Sequence, residues 1–173
     1  MKLPLQALLS LAVLLLLVFT TGCVQVNTTS AADDFTFTTI TGDHKNLSDY
    51  LGSPVLIDFM GVNCQPCQQE MIVLHQIHHD FSNLTIISID VWTSQGETAQ
   101  SIQQLKSQFQ TQYNIALDWT FALDDAQASL GHRFAADGVP HLYLYTKQGN
   151  LYYSHLGYED YSTLATKVKD ITS

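Results

Sequence analysis

Basic side chains are scarce in this 173-residue chain. Seven Lys and Arg stand against sixteen Asp and Glu, for a formal net charge of −9. Nucleic-acid binding rests on basic residues that neutralise phosphates, so a DNA- or RNA-binding role is excluded. Anionic lipid headgroups should repel the same chain, so contact with a membrane needs a tether rather than a basic patch. Internal repeats are absent. Cysteine is also scarce, with three in all: Cys23, Cys64 and Cys67. A structural zinc site normally takes a second ligand pair at its own spacing, and no further cysteine exists to supply one.

What is present begins with a leader. Met1-Lys2 carries one positive charge, Leu5 to Phe19 is almost wholly apolar, and Thr20-Thr21-Gly22-Cys23 follows. A short basic start, an apolar core and small residues before a cut site make a secretory signal. Gly22-Cys23 resembles the end of a lipobox, in which the cysteine is lipidated and becomes the new N-terminus. An uncleaved anchor is the alternative, because the apolar stretch nearly reaches the ~20 residues that span a bilayer. On either reading the remainder is extracytoplasmic and membrane-tethered, in the cell envelope or periplasm. Residues 1–22 are therefore read as a signal peptide and 23–34 as a lipid-anchored, polar, flexible spacer. Residues 35–173 then form one domain, long enough to bury a real core.

With Cys23 assigned to the anchor, Cys64 and Cys67 have only each other. Exported compartments are oxidising, so the pair can form a disulfide. Three uses stay open at this point: a staple, half of a metal site, or a dithiol that trades electrons. The staple is weak, since a disulfide stabilises mainly by closing a long loop and this loop is short.

Periodicity predicts the elements. FTFTTI (Phe35–Ile40) alternates as a strand, and 41–54 reads as a turn-rich connection with one helical turn begun by Ser48. PVLIDFM suits a buried strand. Pro66 to His79 reads as a helix, with Pro66 in its first turn and Met71, Leu74, Ile77 and Phe81 at helical steps. Leu84–Trp92 predicts a central strand, Glu97–Gln112 a helix, and DWTFALD a short strand. Ala126–Phe134 predicts a helix, HLYLYT and LYYSHLG a hairpin about Lys147–Asn150, and Ser162–Ile171 a closing helix. The fold class is α/β, a central mixed sheet flanked by helices on both faces. The cysteines fall at a strand-to-helix turn, where chemistry gathers in such sheets.

Five segments in order carry a resemblance to the thioredoxin superfamily, specifically its membrane-tethered TlpA/ResA-like thiol–disulfide oxidoreductases. They are TGDHKNLSDYLGSPVLIDF, CQPC followed by Glu70, Asp58 six residues before Cys64, GVPHLYLY, and TKQGNLYYSHLG. The similarity spans Phe35 to the C-terminus. It implies a thioredoxin-like fold, a Cys64–Cys67 redox disulfide, a buried Asp58, and a cis Val139–Pro140 peptide facing the disulfide. Substrate contact is expected at Asn63, Gln65, Pro66, Val139, Pro140 and His141. Two positions depart from the family: Asn63 and Met60 replace aromatics that shape the partner surface.

On this resemblance Cys64 is the attacking sulfur, because a helix N-terminus favours its thiolate. Cys67, one turn on, is shielded and resolves the mixed disulfide. Burial raises the pKa of Asp58, which then takes or gives the proton of Cys67. Partners implied are exported protein thiols and disulfides and a membrane electron donor or acceptor. In the resembled family, cytochrome c apoprotein thiols and metal-site cysteines are substrates. No cofactor and no resident metal is implied.

Two rivals remain. The cysteines could deliver copper or another soft metal with His75, His78 or His79, although that helix carries His75 away from the sulfurs. A thiol peroxidase shares the TGDHKNLSDYLG lead-in. Peroxidases, however, place a threonine and a nearby proline ahead of a single key cysteine, where this chain has Met60 and Gly61.

Overall fold

The computed structural model describes residues 34–135 and 137–172. The leader and Cys23 lie outside them, as does most of the spacer. Seven strands are named β1 (Thr36–Thr39), β2 (His44–Asn46), β3 (Val55–Met60), β4 (Thr85–Asp90), β5 (Thr120–Leu123), β6 (His141–Tyr145) and β7 (Leu151–Leu156). Four helices are α1 (Gln65–Asp80), α2 (Ala99–Tyr113), α3 (Ser129–Phe134) and α4 (Tyr161–Thr172). Among the described residues no helix is long and apolar enough to cross a membrane.

The strands form one sheet in the order β2-β1-β5-β4-β3-β6-β7. β3 pairs in parallel with β4, and β4 with β5, while every other pairing is antiparallel. The mixed sheet expected from the alternation is thus present. Strands β3 and β4 lie at its centre and read as unbroken apolar runs because both their faces are covered. Alternation along β3 sends Leu56, Asp58 and Met60 to one face and Val55, Ile57 and Phe59 to the other. The first face packs against Met71, Leu74 and Ile77 of α1, Leu105 and Phe109 of α2, and Leu164 and Val168 of α4. The second is filled by Phe35, Leu47 and the α3 residues Leu130 and Phe134. Rings stack there, with Phe59 and Phe134 5.2 Å apart at an interplanar angle of 8°.

Local chemistry explains where elements differ from expectation. The connection over 41–54 contains β2 and a 3-10 turn at Leu47–Tyr50. The strand is three residues long and polar, so it has no hydrophobic alternation to announce it. Its pairing with β1 and the Asn46–Asp49 capping box hold it. The helix expected from Ala126 begins at Ser129, because Ala128 adopts a left-handed φ of 55°. The helix expected from Glu97 begins at Ala99, with Thr98 as N-cap. Glu97 therefore stays outside α2 and turns elsewhere.

Candidate active site: a disulfide among buried carboxyl groups

β3 ends at Met60, three residues of loop follow, and Cys64 caps α1. Pro66 occupies the first turn, where a missing N–H is harmless. Cys64 and Cys67 are joined by a disulfide with Cα atoms 5.2 Å apart. The Cys67 N–H donates to Cys64 Sγ at 3.1 Å. Helix geometry thus aims a backbone donor and the positive end of the macrodipole at this sulfur. Cys64 is 5% exposed and Cys67 fully buried. Both are more enclosed than a solvent-facing nucleophile, and only Cys64 retains an opening.

Facing them is the start of β6. The Val139–Pro140 peptide is cis, and Cys64 Sγ lies 3.8 Å from the Val139 carbonyl oxygen. Pro140 is buried, and its carbonyl accepts from Gly157 N–H at 2.8 Å. Asn63, Gln65 and Pro66 are exposed and Val139 half-buried around this contact. His141 goes another way. It pairs with Phe59 in register, and its ring centroid is 4.6 Å from that of Tyr143. Its side chain lies on the Phe59 face, opposite Asp58, and burial pushes its pKa down.

Asp58 is fully buried on the face that α1 covers. Its Oδ2 accepts from Ser88 Oγ at 2.8 Å, and Ser88 Oγ accepts from the Trp119 indole N–H at 3.0 Å. Among the described residues its Oδ1 has no hydrogen-bond partner. Burial pushes its pKa up to about 7, with the Ser88 bond opposing. Glu70, one turn beyond Cys67, is a second buried acid. Its Oε2 accepts the Glu159 N–H at 2.8 Å, while Glu159 accepts from the Tyr153 hydroxyl. Burial first, and then the charges of Asp58 and Glu159, push Glu70 up to about 8.

The loop before Cys64 is fixed from three sides. Gln68 Nε2 donates to the Val62 carbonyl at 2.8 Å. Glu97 accepts from the Val62 and Asn63 backbone N–H groups at 2.6 and 2.9 Å. Trp92 lies against Gly61 so closely that a Cβ there would sit 2.4 Å from its ring. Met60 is buried and Asn63 is tied to Glu97, so Trp92, from the end of β4, supplies the loop's aromatic packing. Sequence reasoning missed Ser88, Trp92 and Glu97, and used Glu70 only as a mark of resemblance. Each acts across a separation no local window spans, Glu97 reaching back 34 residues to Asn63.

The helix histidines point elsewhere. His75 Nδ1 is 3.2 Å from the Ala116 carbonyl. His78 is 3.4 Å from Asp118, and His79 is 3.5 Å from Asp80. None of these contacts involves the sulfurs, so the structure does not join Cys64 and Cys67 to the histidines.

A mixed sheet with a Cys-X-X-Cys disulfide capping a helix, set against the start of an antiparallel strand, defines a thioredoxin-like protein. Residues 28–154 match the AhpC/TSA family, and the chain belongs to it. It is similar to the thiol-disulfide oxidoreductase ResA of Geobacillus kaustophilus, 30% identical over 91 residues, covering 51% of this chain and 50% of that protein. The chain spans about half the length of the relatives it matches in this way. Among solved structures it is similar to a thioredoxin-like protein from Aeropyrum pernix. The TM-score is 0.65 at 20% identity, over 80% of this chain and 89% of that one. A secreted Mycobacterium tuberculosis disulfide oxidoreductase homologous to E. coli DsbE has a TM-score of 0.64 at 20% identity, over 79% and 95% of the two chains. At these identities the structures share the fold.

Proposed function

We propose that the chain is an extracytoplasmic thiol–disulfide oxidoreductase that reduces or exchanges disulfides of exported proteins through Cys64 and Cys67. The observation that carries this reading is the placement of the disulfide at the α1 N-terminus, with Cys64 against Val139–Pro140 and Cys67 fully enclosed. The names of the ResA relatives support it.

In the reducing direction, the Cys64 thiolate attacks one sulfur of a substrate disulfide. The substrate S–S bond breaks, a mixed disulfide forms, and the released substrate thiolate takes a proton. Cys67 then gives its proton to Asp58 and its thiolate attacks Cys64 Sγ. The second substrate thiol leaves, the Cys64–Cys67 bond forms, and two electrons have passed to the substrate. A neutral-range acid is suited to such a transfer because it is neither always charged nor always protonated. Glu70 stands behind as a second proton-holding group. Asn63, Gln65 and Pro66, with Val139 and Pro140, frame the approach to Cys64.

The reducing direction is favoured. A strong oxidant has to stabilise its attacking thiolate, since about 150 mV, the gap between thioredoxin and DsbA, corresponds to about 7 kcal/mol. Gln65-Pro66 puts no charged or imidazole donor between the cysteines, and the buried groups nearby are acids. Such a reductant draws electrons from a separate membrane partner. The leader and Cys23 would tether it to the membrane as a lipoprotein, and cytochrome c apoprotein thiols or metal-site cysteines are substrates of the right class. Metal delivery has less support, because the histidines of α1 face away from the sulfurs. A thiol peroxidase has less support too, because Trp92 leaves no room for a side chain at Gly61.

The test is the equilibrium potential of the Cys64–Cys67 couple in glutathione and dithiothreitol buffers. A value near about −270 mV supports the reductant, one near about −120 mV reverses the direction, and the lack of any reversible couple rules out exchange altogether.

A further inference from the structure

Glu97 takes no part in the chemistry above, yet it is 94% hidden, with only 6% of its surface exposed. Its two oxygens collect three donors. Oε2 accepts from Val62 N–H at 2.6 Å, and Oε1 accepts from Asn63 N–H at 2.9 Å and from Asn63 Nδ2 at 2.6 Å. All three come from the two residues that precede Cys64. Since Gln68 holds the Val62 carbonyl from α1, this short loop is gripped at its N–H groups and at its C=O. Neither residue belongs to a helix or strand, so no backbone ladder would hold the loop if Glu97 let go.

Behind Glu97 stands Asp90, the last residue of β4 and fully buried. Its Oδ1 accepts from Trp92 N–H at 2.8 Å. Its Oδ2 has no donor in reach among the described residues, and its carboxyl faces that of Glu97. Burial first, and then the neighbouring carboxyl groups of Glu97 and Asp124, push the pKa of Asp90 up to about 7, with the Trp92 N–H bond opposing. The charged groups facing Asp90 are Glu97, from the loop before α2, and Asp124, from the end of β5. Asp124 is committed to the N–H groups of Asp125, Leu130 and Gly131.

We propose that Glu97 is the positioning residue of the redox loop: as the acceptor for the Val62 and Asn63 backbone N–H groups and the Asn63 side-chain amide, it holds Cys64 in line for exchange. The inference rests on the oxidoreductase reading of Cys64 and Cys67. Glu97 touches neither sulfur and acts through the loop alone.

The experiment uses the full-length chain in detergent and follows the rate of reduction of the Cys64–Cys67 disulfide by dithiothreitol between pH 5 and 9. Wild type that is not reduced and reoxidised reversibly overturns both the oxidoreductase reading and this one. With a reversible wild type, Glu97→Ala is expected to slow reduction by about ten- to a hundredfold, the range for losing charge-assisted bonds that fix a reacting group. Glu97→Gln recovers part of the rate, because its amide oxygen still accepts. Asp90→Asn removes the titrating carboxyl behind Glu97, so its rate loses any break that wild type shows near pH 7. A rate for Glu97→Ala within about twofold of wild type across the range, with only a lowered unfolding midpoint, makes Glu97 a structural brace and overturns the proposal. Should Glu97→Ala fail to fold, Glu97→Gln decides: its Val62 and Asn63 amide resonances are expected to shift from their wild-type positions together with a slower reduction, and amides and rate both unchanged overturn the proposal.

Discussion

Ser88 donates its hydroxyl to Asp58 across the parallel β3–β4 pair, at 2.8 Å and in direct register. The bond is single and buried, and among the described residues it leaves Asp58 Oδ1 without a partner. One hydrogen bond does not compensate the loss of water around a carboxylate, so the acid keeps its proton toward neutral pH.

That relationship sets a pH-dependent stability. The folded pKa of Asp58, about 7, lies above its ordinary value of 3.8. Between these values the folded chain holds a proton that the unfolded chain has released. Stability from the neutral acid is therefore complete below about pH 4 and falls as pH rises through about 7. Asp58→Asn is neutral at every pH. In urea unfolding it should match wild type near pH 4 and exceed it by roughly 2–4 kcal/mol near pH 8. An equal difference at both pH values contradicts the burial argument. The same variant should exchange disulfides more slowly at neutral pH, because it removes the proton acceptor proposed for Cys67.

The unequal enclosure of the two sulfurs, 5% exposure for Cys64 and none for Cys67, supports the attacking and resolving roles proposed for them. Cys67→Ser should accumulate a mixed disulfide between Cys64 and a thiol reagent or substrate, visible by mass spectrometry. Cys64→Ser should accumulate little. Trapping by Cys64→Ser rather than Cys67→Ser would reverse the assignment of attacking and resolving sulfur.

Gly61 and Trp92 are predicted to be coupled. A Cβ at position 61 would come within 2.4 Å of Trp92 Cε3 and 2.5 Å of Cδ2. Gly61→Ala should therefore destabilise by about 1–3 kcal/mol through overpacking. Adding Trp92→Leu removes the clash, so the double variant should cost clearly less than the two single costs combined. Simple additivity in urea denaturation would show that the contact is not what excludes a side chain at Gly61.

Glu70 bridges α1 to the segment after β7 through the Glu159 N–H. Glu70→Ala leaves that buried donor without its acceptor and should cost about 1–3 kcal/mol. Glu70→Gln keeps an acceptor and carries no charge. Since the folded pKa of Glu70 is about 8, wild type is largely neutral at pH 6 and ionised by pH 9. Glu70→Gln should match wild type only below about pH 4.5, where the unfolded acid too keeps its proton, and should be the more stable by an amount that grows through pH 6 toward pH 8. Equal losses for Ala and Gln would mean that the Glu159 bond contributes nothing.

Much of this was legible in the chain. Residues within one turn or one strand of each other announce themselves: Cys64, Pro66 and Cys67 on a helix start, Met71, Leu74 and Ile77 on its buried stripe, and the unbroken apolar run of β3. The Asn63 and Met60 substitutions were equally visible, but their consequence was not. Nothing near Gly61 in sequence shows that Trp92 closes over it. Nor does helical periodicity show that Glu97 falls two residues short of α2 and turns to the loop before Cys64. His141, beside Pro140 in sequence, proved to face away from Asp58, because strand alternation puts it on the Phe59 side.

By itself the sequence determined the sheet-and-helix order and the cysteine pair at a strand-to-helix turn, since hydrophobic periodicity and residue chemistry within a few positions suffice for both. Beyond Asp58, whose burial the resemblance implied, only the tertiary structure decided which carboxyl groups are buried, which of them are paired, and which N–H groups they hold. Burial and hydrogen bonding are properties of neighbours in space, and Glu70 meets Glu159, Asp58 meets Ser88 and Glu97 meets Asn63 only after the sheet has closed around them.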